Sequence, residues 1–191
     1  MLSRKNTLNN KNQVLVVAGL ICWWVLIGAN LFAFNAPDNE QQRNGKTEEP
    51  FLNNFPVYLY FADNTNQYLL GEERIGFGSD DPVVFCRQII DALIRGPSSG
   101  LVRTIPATTE LRAIYIDDKT AYVDLTREVA ASYPGGILSE LMTIYSIVNT
   151  LVLNVDGVDQ VKILIAGQEA ETLSGHIDIR FPLNADMLLI R

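Results

Sequence analysis

The sequence predicts an α+β domain, preceded by one transmembrane helix, in which two helices pack on a mostly antiparallel sheet. Residues 14–34 form an apolar run without a single charge. Beyond residue 54, short stretches with the two-residue alternation of strands are interleaved with two stretches of helical periodicity. The central elements follow the order helix, strand, strand, helix, strand. A two-layer sandwich with both helices on one face of the sheet buries all of their apolar sides.

The apolar run 14–34 has the length of a membrane-spanning helix. Its 21 residues extend about 31 Å as a helix, close to the ~30 Å hydrocarbon core of a bilayer. Arg4, Lys5 and Lys11 precede the run without an acidic residue, so residues 1–13 are predicted to stay in the cytoplasm. A cleaved signal peptide is the alternative, but its apolar region usually has about 7–15 residues. We therefore expect a retained single-pass anchor in the cell (inner) membrane, with the C-terminal domain outside.

Charge and cysteine content narrow the class of protein further. The chain carries a net charge of −7, and its first 35 residues contain three basic and no acidic residues, which leaves −10 for the rest. Such an acidic domain repels phosphate backbones, so no nucleic-acid partner is expected. Cys22 lies within the apolar run and follows Ile21, which is too large for a lipoprotein cleavage motif. Cys86 falls in a predicted helix, so no disulfide is expected.

Residues 35–54 are predicted to be a flexible linker, since they are polar and contain two prolines and one glycine. The remaining segment, 55–191, has the size of a single domain. It begins with a β-branched and aromatic strand at 57–61 and an irregular strand at 68–77. Asp81 and Pro82 then predict the start of a helix that ends at Arg95 before Gly96-Pro97. The apolar stripe of this helix consists of Val83, Cys86, Ile89, Ile90 and Leu93.

The second half of the domain repeats the alternation of strands and helix. Residues 111–116 and 120–125 are predicted to form a hairpin through the turn 117–119. A second helix is predicted at 137–153, with a buried side formed by Leu141, Ile144, Tyr145, Val148 and Leu151. A strand is predicted to follow it at 160–165. A final strand is predicted at 176–181, because apolar and polar residues alternate strictly there.

His176 is the only histidine, so any Ser-His-Asp triad would have to use it. It alternates with Asp178 and Arg180, which favours a solvated strand face over a catalytic site. We interpret His176, Asp178 and Arg180 as a candidate partner-binding face. The acidic residues nearby in sequence are Asp117, Asp118, Asp124 and Glu128. A glycosidase pair or a calcium site is conceivable for them, but turn and surface positions explain them better.

The remaining candidates favour structural roles. Cys86 lies on the apolar stripe of the first helix, where a small buried residue is expected. The glycine-rich stretch 96–100 follows a helix, which indicates a cap and turn and not a phosphate-binding loop. Asn149 and Thr150 interrupt an apolar helix, and backbone hydrogen bonds or solvent contact account for them better than a ligand does. Since nucleotide-binding, hydrolase and metal-ligand motifs are also missing, the sequence predicts no catalytic residue, cofactor or metal.

Several segments together resemble the GerMN domain family of sporulation and spore germination. The resemblance covers about residues 55–182. The segments are Val57–Phe61, Leu93-Ile94-Arg95-Gly96-Pro97, Thr104-Ile105-Pro106, Ala121-Tyr122-Val123-Asp124-Leu125, Ser146-Ile147-Val148-Asn149-Thr150-Leu151 and Val161–Ile165. The resemblance implies a non-enzymatic extracytoplasmic module with a core like the ring-building motif of secretion-type complexes.

Three functions follow from this combination. The first is an interaction or scaffolding module whose partners are envelope proteins or a cell-wall glycan. The second is a sensor that binds peptidoglycan or a small ligand on the sheet face left uncovered by helices. The third is an acid-dependent hydrolase. The interaction module is favoured because an anchored domain without an enzymatic motif most simply recruits other molecules.

Overall fold

The computed structural model describes residues 55–131 and 136–191. The elements are β1 (Phe55–Ala62), β2 (Leu69–Phe77), α1 (Pro82–Arg95), β3 (Leu111–Asp117), β4 (Thr120–Leu125), α2 (Glu128–Ala131), α3 (Ile137–Asn154), β5 (Gln160–Ile165), β6 (Gln168–Glu169) and a 3-10 helix (Met187–Leu189). The predicted order of helix, strand, strand, helix, strand is confirmed as α1, β3, β4, α3, β5. The predicted cytoplasmic segment 1–13, anchor 14–34 and linker 35–54 lie outside the described residues.

Four strands form the main sheet in the order β3-β4-β5-β6. The β3–β4 and β5–β6 pairs are antiparallel, whereas β4 and β5 are parallel because the chain returns between them through α3. Asp118 and Lys119 close the predicted hairpin with φ values of 40° and 64°, as a two-residue turn of the primed type requires. Residues 166 and 167 make a similar turn into β6, a strand that the sequence did not predict.

The strands β1 and β2 form a separate antiparallel ribbon, although the sequence predicted one sheet. Side chains of α3 occupy the free edge of β1. The Asn154 amide accepts from the Tyr58 N–H at 2.8 Å and donates to its carbonyl at 2.9 Å. The Thr150 hydroxyl accepts from the Tyr60 N–H at 3.1 Å. The helix thus satisfies backbone groups that a neighbouring strand would otherwise bind.

Helix α1 has the boundaries that its sequence predicts. The Asp81 side chain caps it by accepting from the N–H groups of Val83 and Val84 at 2.8 and 3.4 Å. Gly96 ends it with a φ of 90°, and its N–H donates to the Leu93 carbonyl. A Cβ at this glycine would lie 2.6 Å from the guanidinium of Arg103, which binds the last carbonyls of the helix. The positive φ of this cap favours glycine, and a larger residue would also displace the guanidinium of Arg103.

Helix α3 runs through the hydrophobic core. Ile144, Val148 and Leu151 are fully buried, as predicted, and pack with the inward faces of β1, β4 and β5. Among the described residues, α3 is the one helix long and apolar enough to cross a membrane, with a mean hydropathy of 1.3, but 56% of it is buried within the domain. Its apolar character is explained by its place in the core.

The predicted strand 176–181 is wrong, because these residues form an irregular loop. Isolated bridges join Thr172 to Asp178 and Val161 to Leu183. The expected common face of Ile177, Ile179 and Phe181 is also broken: Ile179 is fully buried, whereas Phe181 is 69% exposed. Side chains from α3 and β5 bind the loop backbone here and replace the regular hydrogen bonds of a strand.

Candidate functional site

The three residues predicted to bind a partner lie on this loop, Leu173–Phe181, which we call the 173–181 loop. The side chains of His176, Asp178 and Arg180 are 42%, 50% and 57% exposed. The Arg180 guanidinium donates to Asp178 through Nε at 3.0 Å and Nη2 at 2.8 Å. The hydrogen bonds from Arg180 lower the pKa of Asp178 to about 2. The loop thus presents a pre-formed, fully ionised pair to solvent.

Glu140, in the first turn of α3, anchors the start of the 173–181 loop. Its side chain is completely buried. Oε1 accepts from the N–H groups of Leu173 at 3.0 Å, Ser174 at 2.8 Å and Ile177 at 3.3 Å. Oε2 accepts from the N–H of His176 at 3.0 Å and lies 2.7 Å from its Nδ1. One carboxylate therefore satisfies four backbone donors and orients the imidazole.

The environment of Glu140 stabilises its ionised form. Burial alone raises the pKa of this carboxyl group, and it is the largest single effect. Hydrogen bonds from Ser174, His176 and Ile177 act in the opposite direction, and together they bring the pKa below its usual value of 4.5. The buried charge is accordingly compensated by the loop that it holds.

Lys162 of β5 anchors the other end of the loop. It is only 3% exposed, and its ammonium group donates to the carbonyls of Ile179, at 3.3 Å, and Arg180. Glu169 lies 3.8 Å away at the surface. Because Lys162 alternates with the inward-facing Val161 and Ile163, its side chain leaves the sheet on the face opposite the helices. The loop therefore reaches the outer face of the sheet.

Phe181 ends the loop beside this anchor. Its side chain is 69% exposed, and the guanidinium carbon of Arg180 lies 6.0 Å from the centre of its ring. Phe181 is thus an exposed aromatic side chain that follows directly on a backbone held by buried groups. Aromatic and arginine side chains are the residue types that contribute most to protein–protein interfaces.

Neither Glu140 nor Lys162 was predicted from the sequence as an anchor of the loop. A signal for Glu140 exists in its position four and eight residues before Ile144 and Val148, which places an acidic residue on the buried stripe of α3. Buried carboxylates need partners, so this pattern indicates a polar site inside the domain. The backbone groups that bind Glu140 could not be predicted, since Leu173–Ile177 lie more than 30 residues away in sequence.

The acidic residues of the β3–β4 hairpin lie in a turn and in a strand, at positions of different exposure. Asp117 and Asp118 are exposed in and beside the turn. Asp124 was expected to face solvent, but it is only 6% exposed. It binds Arg112 at 2.9 Å and the N–H of Gly167 at 2.7 Å. Within residues 55–131 and 136–191, no group of three His, Cys, Asp or Glu side chains could hold a metal ion.

The other polar candidates have the structural roles predicted for them. Burial raises the pKa of Cys86 to about 12, so its thiol stays protonated and unreactive at neutral pH. Asn149 is fully buried and exchanges two hydrogen bonds with the backbone of Asp186, at 2.9 and 3.0 Å. Thr150 binds β1. Asn149 and Thr150 thus fasten neighbouring segments to α3.

The outer face of the main sheet carries an aromatic pair at its β3 side. The rings of Tyr115 and Tyr122 are stacked with their centres 4.6 Å apart and an angle of 7° between their planes. The two residues are directly opposite in the β3–β4 register, and Tyr115 is 46% exposed. Lys162 continues the same row on β5. This face therefore carries a partly exposed aromatic pair in the same cross-strand row as the loop anchor Lys162.

Comparison with known proteins assigns the domain to a family. A family model described as Germane, sporulation and spore germination, matches residues 58–171, which is more than half of the chain. The chain belongs to this family. The domain is thus of the GerMN type, as the resemblance of its segments predicted. No curated protein matches the sequence significantly.

Solved structures support the same fold. The first GerMN domain of the sporulation protein GerM from Bacillus subtilis is 20% identical, with a TM-score of 0.54, over 70% of this chain and 98% of that one. The tandem GerMN domains of GerM are 21% identical, with a TM-score of 0.54, and this chain covers 46% of their length. A candidate lipoprotein from Clostridium perfringens is 25% identical, with a TM-score of 0.51, over 69% of this chain and 87% of its own.

The family match includes both anchor residues of the loop but not the loop itself. Glu140 and Lys162 lie inside residues 58–171 of the GerMN match, whereas the 173–181 loop follows it. The two anchors are thus part of the matched domain, and the exposed residues that they position lie just beyond it.

Proposed function

We propose that this protein is a membrane-anchored, non-enzymatic interaction module of the bacterial cell envelope, and that its 173–181 loop docks a protein partner. The observation that carries the proposal is the exposure of Phe181 on a loop whose backbone is held by the buried charges of Glu140 and Lys162. A pre-ordered loop binds with a smaller loss of conformational entropy than a mobile one. His176, Asp178 and Arg180 then provide the polar rim around the aromatic residue.

The envelope location rests on the apolar run 14–34 and on the relatives. The basic residues before this run favour an extracytoplasmic domain, and the relatives include a sporulation protein and a candidate lipoprotein. A phosphatase reporter fused after Arg191 should be active, since that enzyme folds only outside the cytoplasm. A reporter that works only in the cytoplasm should be inactive at the same site. The opposite pattern would contradict an external domain.

Docking is tested by comparing the proteins that co-purify with the full chain from crosslinked membranes. Reversal of both charges, Asp178→Arg with Arg180→Asp, and separately Phe181→Ser, should each lower the recovery of the same partners. A matched control is the exposed Lys119–Asp159 ion pair, which has a 3.1 Å contact and similar exposure. Reversal of that pair should leave recovery unchanged. Equal recovery with all variants would mean that the loop does not dock these partners.

Binding of a cell-wall glycan or small ligand is a second candidate, favoured by the stacked Tyr115 and Tyr122. Flat aromatic surfaces bind apolar faces of ligands through their large contact area. The full chain in detergent should then co-sediment with isolated peptidoglycan, and Tyr115→Ser should abolish this. Retained sedimentation in that variant would place the glycan contact elsewhere.

A further inference from the structure

A concave surface lies where the start of β1, the N-terminus of α1 and the C-terminus of α3 meet. It is a cleft of about 490 Å³, within the ~300–1,000 Å³ range of ligand pockets. Its apolar floor includes Val57 and Val155, which are almost fully buried, and the half-buried Phe85. Asp80 and Asp156 stand at its rim and are exposed. The cleft shares no residue with the 173–181 loop or with the tyrosine pair.

Within residues 55–131 and 136–191, no basic side chain pairs with the carboxylates of the cleft. Its lining contains two carboxylates and no lysine or arginine. Neither Asp80 nor Asp156 takes part in an ion pair among the described residues, in contrast to Asp124, Asp159 and Asp178. The last turn of α3 contains no basic residue, so the partial negative charge of the helix C-terminus adds to that of Asp156. The positive end of α1 is already neutralised by its Asp81 cap.

This combination selects the chemistry of the occupant. An apolar floor below two carboxylates complements a side chain that has an aliphatic stem and a cationic head. Arginine fits best, since its guanidinium can stack on the Phe85 ring and donate to a carboxylate through two N–H groups. A metal ion fits poorly, because no three carboxylate, imidazole or thiol groups converge in the described part of the chain. We propose that the cleft receives one arginine side chain from an extended segment of a protein partner.

The inference rests on the proposed interaction function and adds a second contact to it. The cleft lies at the C-terminus of α3, whereas Glu140 holds the 173–181 loop at the N-terminus. The 14 positions from Glu140 to Asn154, the last residue of α3, correspond to about 21 Å at 1.5 Å per residue. A partner that contacts both would have to be at least that extended. Loss of binding at the cleft and loss of docking at the loop are therefore separable by mutation.

The test uses the full chain in detergent and the peptide acetyl-Gly-Arg-Gly amide. The control peptide replaces arginine by citrulline, which has nearly the same shape but no charge. We expect saturable chemical-shift changes at Val57, Phe85 and Val155, and an affinity for the arginine peptide about tenfold or more above that for citrulline. Asp80→Asn with Asp156→Asn should lower the affinity by a similar factor without changing the melting temperature.

The matched control is Asp117→Asn with Asp118→Asn, which removes the same charge from the exposed hairpin turn and should preserve binding. Equal binding of citrulline, or an equal loss in the hairpin control, would overturn the proposal. So would binding that emerges only after Arg43→Gln with Lys46→Gln, because the chain's own linker would then be the occupant. If the cleft does not bind the arginine peptide but the loop variants still lose their partners, the proposed function stands without this contact.

Discussion

The buried carboxylate of Glu140 lies 2.7 Å from Nδ1 of His176 and also accepts the backbone N–H of the same residue. A lone histidine beside a carboxylate resembles half of a catalytic triad. However, the same carboxylate binds the N–H groups of Leu173, Ser174 and Ile177. Its hydrogen-bonding capacity is used to order a loop. We therefore interpret the contacts of Glu140 with the loop as structural. We call them the latch, because they hold the 173–181 loop in one shape.

Replacing the latch should release the loop and destabilise the domain. Glu140→Gln keeps the size of the side chain but puts an amide group where backbone N–H donors converge. We expect a loss of about 3 kcal/mol in the free energy of unfolding, because buried donors lose a charged acceptor. Urea denaturation of the full chain in detergent measures this loss. Amide exchange should also accelerate at Ser174, His176 and Ile177.

Glu110→Gln is the control for this change, since Glu110 is exposed and its replacement should alter stability by less than about 0.5 kcal/mol. If Glu140→Gln unfolded no more easily than the control, the carboxylate would not be holding the loop. Unchanged exchange at the three amides would lead to the same conclusion.

The latch should also weaken in acid. The pKa of Glu140 is lower in the folded protein than its ordinary value of 4.5, so the ionised form stabilises the fold. This contribution is complete above the unfolded pKa and disappears as the pH falls through the folded one. The stability difference between wild type and Glu140→Gln should therefore be constant from pH 7 to about 6 and shrink below the ordinary glutamate range. A difference that grows on acidification would contradict the lowered pKa.

Local sequence signals predicted most of the regular structure. Asp81-Pro82 and Gly96 mark the ends of α1, and these caps depend on residues within one turn. The periodicity of α3 placed Val148 and Leu151 in the core, because an apolar stripe must be buried whatever it packs against. The β3–β4 hairpin was predictable because its turn residues are adjacent in sequence to the strands that they join.

The loop and its anchors were not predictable in this way. The alternation at 176–181 is typical of a strand, but no strand forms there, because Glu140 and Lys162 bind the backbone. These contacts join residues separated by 17 to 37 positions, and no periodicity connects them. The separation of the β1–β2 ribbon from the main sheet is similar, since it depends on Asn154 and Thr150 reaching β1 across the fold.

Val148 provides a direct test of the core. Its side chain is completely buried between α3 and the strands. Val148→Asp should cost at least several kcal/mol and unfold the domain, because an unpaired charge would be placed in an apolar environment. Leu153→Asp, on the same helix but 41% exposed, should cost about 1 kcal/mol or less. Circular dichroism melting curves compare the two, and a folded Val148→Asp variant would refute this arrangement of α3.

The contact between Thr150 and β1 gives a test of the ribbon edge. Thr150→Val retains the shape of the side chain but removes the hydroxyl that accepts from the Tyr60 N–H. A backbone donor left without a partner beside a buried helix should reduce stability by about 2 kcal/mol. Thr150→Ser keeps the hydroxyl and loses only a methyl group, at about 1 kcal/mol. Hydrogen exchange at Tyr60 separates the two effects, since it should accelerate in the valine variant and remain slow in the serine variant. Equal protection in both would show that the Thr150 hydroxyl does not secure the edge of β1.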